Sequence, residues 1–229
     1  MKKTRRQGKP SDSIQLRIAL PALLTVALFA GALHFYFFPT FEQGFLNQKR
    51  ESCRQLTETA FNIIVSYGAM EQDGSLSPDQ ARLAAMRQIR SMRYGPEDKD
   101  YFWISDYSGR LVVHPYRPDL EDHDLSDFRD HEGTRVFALF ADIARTKGEG
   151  FAEYYWQWKD KPGPENLKIS YVKGYPHWGW IVGTGVYIDD VHAELVTLRR
   201  NMTLATLAIL AVALVMAGYI IWQAWTAAL

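Results

Sequence analysis

The sequence predicts an α+β domain, with helices packed against one antiparallel sheet, between two membrane-spanning helices. Two long apolar segments, residues 18–38 and 202–225, lie near the two ends of the 229-residue chain. Residues 41–67 place apolar side chains at helical spacing, which predicts a long helix after the first apolar segment. After residue 100 the chain changes to short aromatic and β-branched runs separated by turn residues, which predicts strands.

Both apolar segments are long enough to cross a membrane, because the hydrocarbon core needs about 20 apolar residues. Residues 1–17 hold six basic residues and one acidic residue, so we expect them to form a cytoplasmic tail by the positive-inside rule. Residues 39–199 then lie outside the cytoplasm, in the periplasm of a Gram-negative cell, and the chain returns to the cytoplasm. Aromatic residues at the far end of the second segment fit a membrane interface (Tyr219, Trp222 and Trp225).

Two observations oppose this membrane topology. Arg199 and Arg200 precede the second segment on the expected outer side. The small residues Ala30-Gly31-Ala32 also allow the first segment to be a cleaved signal peptide. We favour the membrane span, since the apolar run is longer than a signal core of about 7–15 residues.

The helices of the soluble part are marked by their caps and breaks. Ser77 and Pro78 predict the start of a second helix, as N-cap and first helical residue. We expect its apolar face to be Leu83, Met86 and Ile89, and its end near Gly95-Pro96. A third, short amphipathic helix is expected over residues 136–143, ending near Gly148.

The strand-like runs predict a five-stranded antiparallel sheet, since consecutive strands joined by short turns pair in this way. The first two runs flank the turn at residues 106–109 and form a hairpin. After Asp189 we expect a short helix that leads into the second apolar segment. The five expected strands are residues 101–104, 111–113, 150–158, 167–172 and 180–188.

Composition and motif content argue against several classes of protein. The formal net charge is zero, which argues against a nucleic-acid partner. Cys53 is the single cysteine, so no internal disulfide can form. We find no nucleophile elbow, phosphate loop or zinc helix motif, so we expect neither an enzyme nor a cofactor. The acidic loop at residues 123–131 matches no zinc or calcium motif, and a solvated loop is the favoured interpretation.

Several motifs occur in a characteristic order along the chain. They are Arg93-Tyr94-Gly95, the segments 100–106, 130–133 and 168–172, Gly109, His114-Pro115, and the segment 178–190. Together they resemble the extracellular single Cache domain, a PAS-like sensor domain of bacterial chemoreceptors and sensor histidine kinases. The resemblance covers residues 41–190, and Asp122 departs from the family pattern, which often has glycine there.

The resemblance implies a PAS-like sheet, a long N-terminal helix and a pocket on one sheet face. It also implies a small ligand, such as a short carboxylate, an amino acid or an amine, whose binding shifts the membrane helices and regulates a cytoplasmic output domain. Too few residues follow residue 225 to form an output domain. We therefore expect a continuation of the chain or a separate output protein. A homodimer is expected because the long first helix needs a partner for its apolar stripe.

A small anion requires a fixed cation or convergent hydrogen-bond donors in an apolar pocket. Tyr101 and Trp103 share one strand face, and Lys168 shares a face with Ser170, while Tyr171 points to the opposite side. The family places its ligand near the first hairpin and the later strands. The candidate ligand-binding residues are therefore Arg93, Tyr101, Trp103, His114, Lys168, Tyr171 and Tyr187.

Each candidate has a structural alternative. Arg93 can cap its own helix, Trp103 can belong to the core, and His114 can be a turn residue. Lys168 can be solvated, since one face of an antiparallel sheet is often wet.

The leading hypothesis is an extracytoplasmic sensor of a small molecule. The alternative is a membrane-anchored interaction subunit without its own ligand. A pocket with Lys168 or Arg93 pointing inward favours the sensor, and a purely apolar pocket favours the interaction subunit.

Overall fold

The computed structural model describes residues 11–161, 163 and 165–227. Residues 45–193 form one compact unit, and the residues on either side of it form a second. The greater part of the expected basic tail, residues 1–10, lies outside the described residues, as does the side chain of Trp225.

Five α-helices occur in the described residues. They are α1 (Ser11–Ala32), α2 (Phe38–Gln72), α3 (Pro78–Ser91), α4 (Val136–Lys147) and α5 (Ile188–Ala227), and a π-helical turn at Leu33–Phe37 joins α1 to α2. Two stretches of helix are long and apolar enough to cross a membrane, Leu20–Gln72 and Ile188–Gln223. Within the flanking unit, His34 Nε2 lies 3.2 Å from Thr203 Oγ1, so a polar contact joins the two apolar segments.

Six strands in the described part of the chain form an antiparallel sheet with the order β1-β2-β6-β5-β4, and β3 pairs with β2 beside β1. The predicted α+β class and its antiparallel sheet are confirmed. The sheet differs from the prediction by one strand, β1, whose two residues are too few to show a periodicity. The strands are β1 (Arg93–Tyr94), β2 (Asp100–Asp106), β3 (Leu111–Val113), β4 (Glu149–Gln157), β5 (Glu165–Tyr175) and β6 (Trp180–Tyr187).

Helix α3 begins as the sequence predicts. Ser77 Oγ accepts the backbone N–H of Gln80, and the Gln80 side chain accepts the backbone N–H of Ser77, which completes a capping box. The predicted apolar face was wrong at Leu83, which is exposed, because the buried stripe is formed by Ala81, Ala85 and Ile89. Small residues let the helix approach the sheet closely. The helix ends at Ser91, before the predicted Gly95-Pro96.

The sheet carries helices on both faces. Helices α2 and α3 pack on the face that holds Phe102 and Ile104 of β2. Helix α4 covers the other face, which holds Tyr101 and Trp103. Each face therefore has its own apolar core, and the alternation of side chains along β2 separates them.

Two glycines of β6 leave a hollow in the sheet face beneath α4. Gly183 pairs with Trp103 on β2, and a Cβ at Gly183 would lie 2.5 Å from the indole ring. A Cβ at Gly185 would overlap Ser170 Oγ and the carbonyl oxygen of Ile169 on β5. Since β6 is a central strand, these glycines allow the large side chains of β2 and β5 to lie over it.

Gly185→Ala is expected to destabilise the domain by about 1–3 kcal/mol, because the added methyl group meets the backbone of β5, which has little room to move. Chemical unfolding followed by circular dichroism in detergent micelles measures this change. Gly163→Ala is the control, since a Cβ there meets nothing within 4 Å. Equal stability of the Gly185 variant and the unmodified protein would show that the close packing of β5 on β6 is not required.

Candidate ligand-binding site

An enclosed cavity lies between the sheet and α4, within the unit of residues 45–193. Its free volume is about 10 Å³, which is room for about one water molecule. We name it the inner cavity. Its wall is mainly aromatic and is formed by Tyr101, Trp103, Leu111, His114, Val136, Phe137, Phe140, Tyr154 and Trp156.

Lys168 is buried beside this cavity, although it does not line the cavity itself. It lies on β5 with 1% of its surface exposed. Its Nζ is 2.9 Å from the Tyr101 hydroxyl and 3.4 Å from the Tyr187 hydroxyl, and it lies 4.0 Å from the centre of the Tyr101 ring. The ammonium group therefore stands directly behind Tyr101, which forms part of the cavity wall.

Within the described residues, no carboxylate forms an ion pair with Lys168. A second buried lysine, Lys159, shows the contrast. Its Nζ lies 3.3 Å from Asp100 and 2.9 Å from Asp190. A buried charge normally needs ionic or hydrogen-bonding partners, because it has lost its hydration. Lys159 has two carboxylates, whereas Lys168 has two neutral hydroxyls and cation–π contacts.

Burial lowers the pKa of the Lys168 ammonium to about 7, and the nearby charge of Asp100 opposes this shift. Burial also raises the pKa of the Tyr187 hydroxyl to about 12 and that of Tyr101 well above its ordinary value. Both tyrosines therefore remain protonated at neutral pH. The Tyr187 hydroxyl donates to the carbonyl oxygen of Gln157 at 2.6 Å, and it accepts the backbone N–H of Lys159 at 3.2 Å.

His114 stands between Tyr101 and Trp156. Its Nε2 accepts the indole N–H of Trp156 at 3.2 Å, and its Nδ1 lies 3.2 Å from the backbone nitrogen of Tyr116. Burial lowers the pKa of His114 well below its ordinary value, so the ring is neutral. A neutral imidazole can accept at only one nitrogen, so one of these two N–H groups lacks an acceptor.

Trp103 adds another donor without an acceptor. Its ring stacks on Phe140 with centroids 4.4 Å apart, and its indole N–H is buried without a hydrogen-bond partner in the described residues. Tyr154, whose hydroxyl bonds to Ser170 Oγ at 2.9 Å, is the polar neighbour of this indole N–H, but the geometry falls outside that of a hydrogen bond. These unpaired N–H groups give the site more buried donors than acceptors. Such an excess is unusual, because buried donors are rarely left unpaired in folded proteins. Such a surplus fits a ligand that is rich in acceptors.

Lys159 extends the site toward α5. Asp190 lies in the first turn of α5, and its other carboxylate oxygen accepts the indole N–H of Trp158 at 3.1 Å. Lys159 adopts a left-handed backbone conformation (φ 47°), which is uncommon for a residue with a side chain. The ion pairs and the Tyr187 contact therefore hold the end of β4, the start of β2 and the start of α5 together.

A larger outer cavity of about 500 Å³ opens beside the inner one. Its polar lining is already paired. Arg117 contacts Asp119 at 2.8 Å, and Glu165 contacts His131 at 2.8 Å. The lining of this outer cavity is formed by Tyr116, Arg117, Asp119, Phe128, Trp156, Gln157, Asp160, Gly163 and Glu165.

The structure brings together five of the seven residues that the sequence suggested, namely Tyr101, Trp103, His114, Lys168 and Tyr187. Arg93 lies apart from the inner cavity, because its guanidinium donates to the carbonyl oxygens of Arg90 and Met92 at the end of α3. This is the capping alternative that the sequence allowed.

Tyr171 lies on the opposite face of the sheet. Its ring packs on Phe151, and its carbonyl oxygen accepts the hydroxyl of Thr57 on α2. Adjacent residues of a strand point to opposite faces, so Tyr171 cannot share the pocket face with Ser170.

Sequence reasoning missed the contributions of β4 and α4. Tyr154 and Trp156 lie two residues apart on the cavity face of β4, which the sequence predicted only as a strand. Phe137 and Phe140 lie on the apolar stripe of α4, which the sequence predicted only as a short amphipathic helix.

The acidic loop has structural roles. Within the described residues, no group of three or more His, Cys, Asp or Glu side chains is arranged to hold a metal ion. Asp130 accepts the backbone N–H groups of Thr134 and Tyr155, which fixes the loop to β4.

Comparison with known proteins gives a consistent result. The family model "Single Cache domain 2" matches residues 45–201. The chain is 38% identical over 158 residues to the methyl-accepting chemotaxis protein McpP of Pseudomonas putida, and 34% identical over 164 residues to the sensor histidine kinase MctS of Rhizobium johnstonii. These matches cover 68% and 71% of this chain but only 28% and 34% of the relatives.

Solved structures agree with the sequence matches. A periplasmic sensor domain of a chemotaxis protein has a TM-score of 0.60 and 38% identity, covering 62% of this chain and 97% of that chain. A Cache chemosensory domain, solved to explain carboxylic acid recognition, has a TM-score of 0.58 and 34% identity, covering 64% of this chain and 97% of that chain.

The two buried lysines are expected to respond differently to replacement by methionine. Lys168→Met should change stability at pH 7 by less than about 1 kcal/mol, because it removes a buried charge that has no carboxylate partner. Lys159→Met should lower the free energy of unfolding by about 3 kcal/mol, because it leaves the carboxylate of Asp100 buried and unpaired. The carboxylate of Asp190 is partly exposed and should add less to the loss. Chemical unfolding measures both, and equal losses would contradict the assignment of Lys168 as the lysine without a counter-charge.

Proposed function

Because the chain belongs to the single Cache domain 2 family, we propose that residues 39–199 form an extracytoplasmic sensor of short-chain carboxylates. The observation that carries this proposal is the surplus of buried donors around Lys168. A carboxylate accepts several hydrogen bonds and brings the missing negative charge.

The ligand class follows from the charges at the site. The ammonium of Lys168 is buried without a carboxylate among the described residues, so an anionic ligand stabilises its charged form. The residues that line the inner cavity include no Asp or Glu, so an amine or an amino acid would bury its ammonium without a counter-charge. The similarity to a Cache domain solved for carboxylic acid recognition supports the same class.

The size of the inner cavity implies movement on binding. Even acetate is larger than one water molecule, so part of the wall must shift to admit it. A ligand that binds the open arrangement better than the closed one shifts the population of the two states. The closed arrangement described above is then the resting state.

A chain of contacts connects the cavity to α5. Lys168 contacts the Tyr187 hydroxyl, Tyr187 is bonded to the backbone of Lys159, and Lys159 is paired with Asp190 in the first turn of α5. Tyr187 also directly precedes α5 in the chain. We propose that a carboxylate at Lys168 changes the Tyr187 contacts and thereby the position of this first turn. Small shifts of a packed helix are a common carrier of such signals.

The proposed arrangement in the cell follows the apolar segments. Residues 18–38 and 202–225 span the bacterial inner membrane, residues 1–17 lie in the cytoplasm, and the chain returns to the cytoplasm after the second span. The two apolar helices and the family support this arrangement. A homodimer that acts on a cytoplasmic output module fits relatives that are a chemoreceptor and a sensor kinase. The domain acts here as a sensor rather than as an enzyme.

Isothermal titration calorimetry of the full chain in nanodiscs, with acetate and propionate, tests the proposed ligand class. We expect binding by the unmodified protein and a loss of about 10- to 100-fold in affinity for Lys168→Met, since a charge-assisted hydrogen bond contributes about 1.5–3 kcal/mol. Lys173→Met is the control, because Lys173 lies on the same strand but on the opposite face, paired with Glu58 and Glu149. Binding of methylamine but of neither acid would exclude the carboxylate and favour an amine. No binding at all would favour the interaction subunit.

The affinity for acetate is expected to depend on pH through Lys168. Only the ammonium form binds the anion well, and its pKa without ligand is about 7. Affinity should therefore be constant from about pH 5.5 to 6.5 and should fall by up to about tenfold per pH unit above pH 7. The neighbouring Tyr101, Tyr187 and Cys53 have raised pKa values, so they do not lose protons near neutrality. A flat affinity between pH 6 and 9 in the same titrations would contradict this role for Lys168.

A further inference from the structure

Trp156 separates the inner cavity from the outer one. It is the residue that the linings of the two cavities share. Only 4% of its surface is exposed, so Trp156 is a buried side chain that lines both cavities. The free volume is about 10 Å³ on one side of the ring and about 500 Å³ on the other.

The position of the ring is fixed by a polar contact and by aromatic contacts. The indole N–H donates to His114 Nε2 at 3.2 Å. The ring also packs against Phe128, with centroids 5.3 Å apart, and against Phe137, with centroids 5.8 Å apart. Phe128 lines the outer cavity and Phe137 the inner one, and these two rings also contact each other, with centroids 6.1 Å apart, so Trp156 packs against the lining of both cavities.

Among the described residues, the wall that Trp103 and Phe140 form is closely packed. Trp103 and Phe140 stack on each other and are both buried. A Cβ on Gly183 beneath Trp103 would already lie 2.5 Å from the ring, so Trp103 cannot sink further into the sheet. A ligand with a longer carbon chain would therefore have to extend past Trp156.

The outer cavity has the chemistry to take an uncharged tail but not to compete for a carboxylate. Its cation Arg117 is already paired with Asp119, and Asp160 and Glu165 add negative charge to its wall. Phe128 and Tyr116 provide apolar surface next to Trp156. A carboxylate would remain at the donor-rich inner cavity, and an alkyl chain would lie against these rings.

We infer that Trp156 determines the length of the ligand: its indole closes the inner cavity against straight-chain monocarboxylates longer than the shortest ones. This inference rests on the proposed carboxylate-sensing function. It names Trp156 as the residue that limits the length of the ligand's carbon chain. It also identifies the outer cavity as the space that longer acids would enter once the indole is removed.

Calorimetric titration of the full chain in nanodiscs with acetate, propionate, butyrate and hexanoate tests this inference. For the unmodified protein, affinity should fall steeply as the acid lengthens. For Trp156→Ala, the ratio of hexanoate to acetate affinity should rise at least about tenfold, because each additional buried methylene group favours binding. Trp156→Phe retains an aromatic partition that is smaller than indole, so it should give an intermediate ratio and also serves if the alanine variant does not fold.

Trp180→Phe is the control, since Trp180 is a buried tryptophan in the core on the opposite face of the sheet and should leave the ratio unchanged. If the unmodified protein binds acetate but the Trp156 variants keep its preference for short acids, the inference about Trp156 is wrong and the proposed function stands. If the unmodified protein binds none of the four acids, both are wrong.

Discussion

The burial of one ammonium group on a central strand is the constraint on which the site depends. Lys168 is held by the hydroxyls of Tyr101 and Tyr187 rather than by a carboxylate. Because burial of a charge is costly and no carboxylate among the described residues pairs with it, its pKa falls to about 7. The proposed anionic ligand would supply the missing counter-charge at this position. The glycines of β6 make room for this arrangement, since Gly183 and Gly185 allow bulky neighbours to close over the strand.

A partner of Lys168 also connects the candidate site to helix α5. Tyr187 is both a partner of Lys168 and the residue that precedes α5. Its hydroxyl is bonded to the carbonyl oxygen of Gln157 and to the N–H of Lys159, and Lys159 is paired with Asp190. In the proposed mechanism, a change in the hydrogen bonds of this hydroxyl alters the position of the first turn of α5. This arrangement gives a physical basis for a signal, because the proposed binding event and the proposed movement share atoms.

Sequence patterns predicted those features that depend on local chemistry. The capping box at Ser77 and the placement of Lys168 with Ser170 follow from side-chain type and period. The two-residue strand β1 and the burial of Lys168 depend on tertiary contacts that no local pattern contains. The alternation of side chains along a strand places Tyr171 and Lys168 on opposite faces of β5, but it does not show which face holds the inner cavity. Trp156 has the pattern of a core residue, and its place between two cavities depends on α4 and on the loop that contains Phe128.

The central claim is that the ligand supplies the counter-charge of Lys168. Nuclear magnetic resonance of ¹³C-labelled lysine side chains in the full chain in detergent micelles measures this directly, with the Lys168 signal assigned from its absence in Lys168→Met. Without ligand, the Lys168 signal should titrate near pH 7. With saturating acetate, its pKa should rise by at least about two units, because the bound carboxylate favours the charged form. An unchanged titration at an acetate concentration that saturates binding would show that the carboxylate does not pair with Lys168, and it would contradict the account.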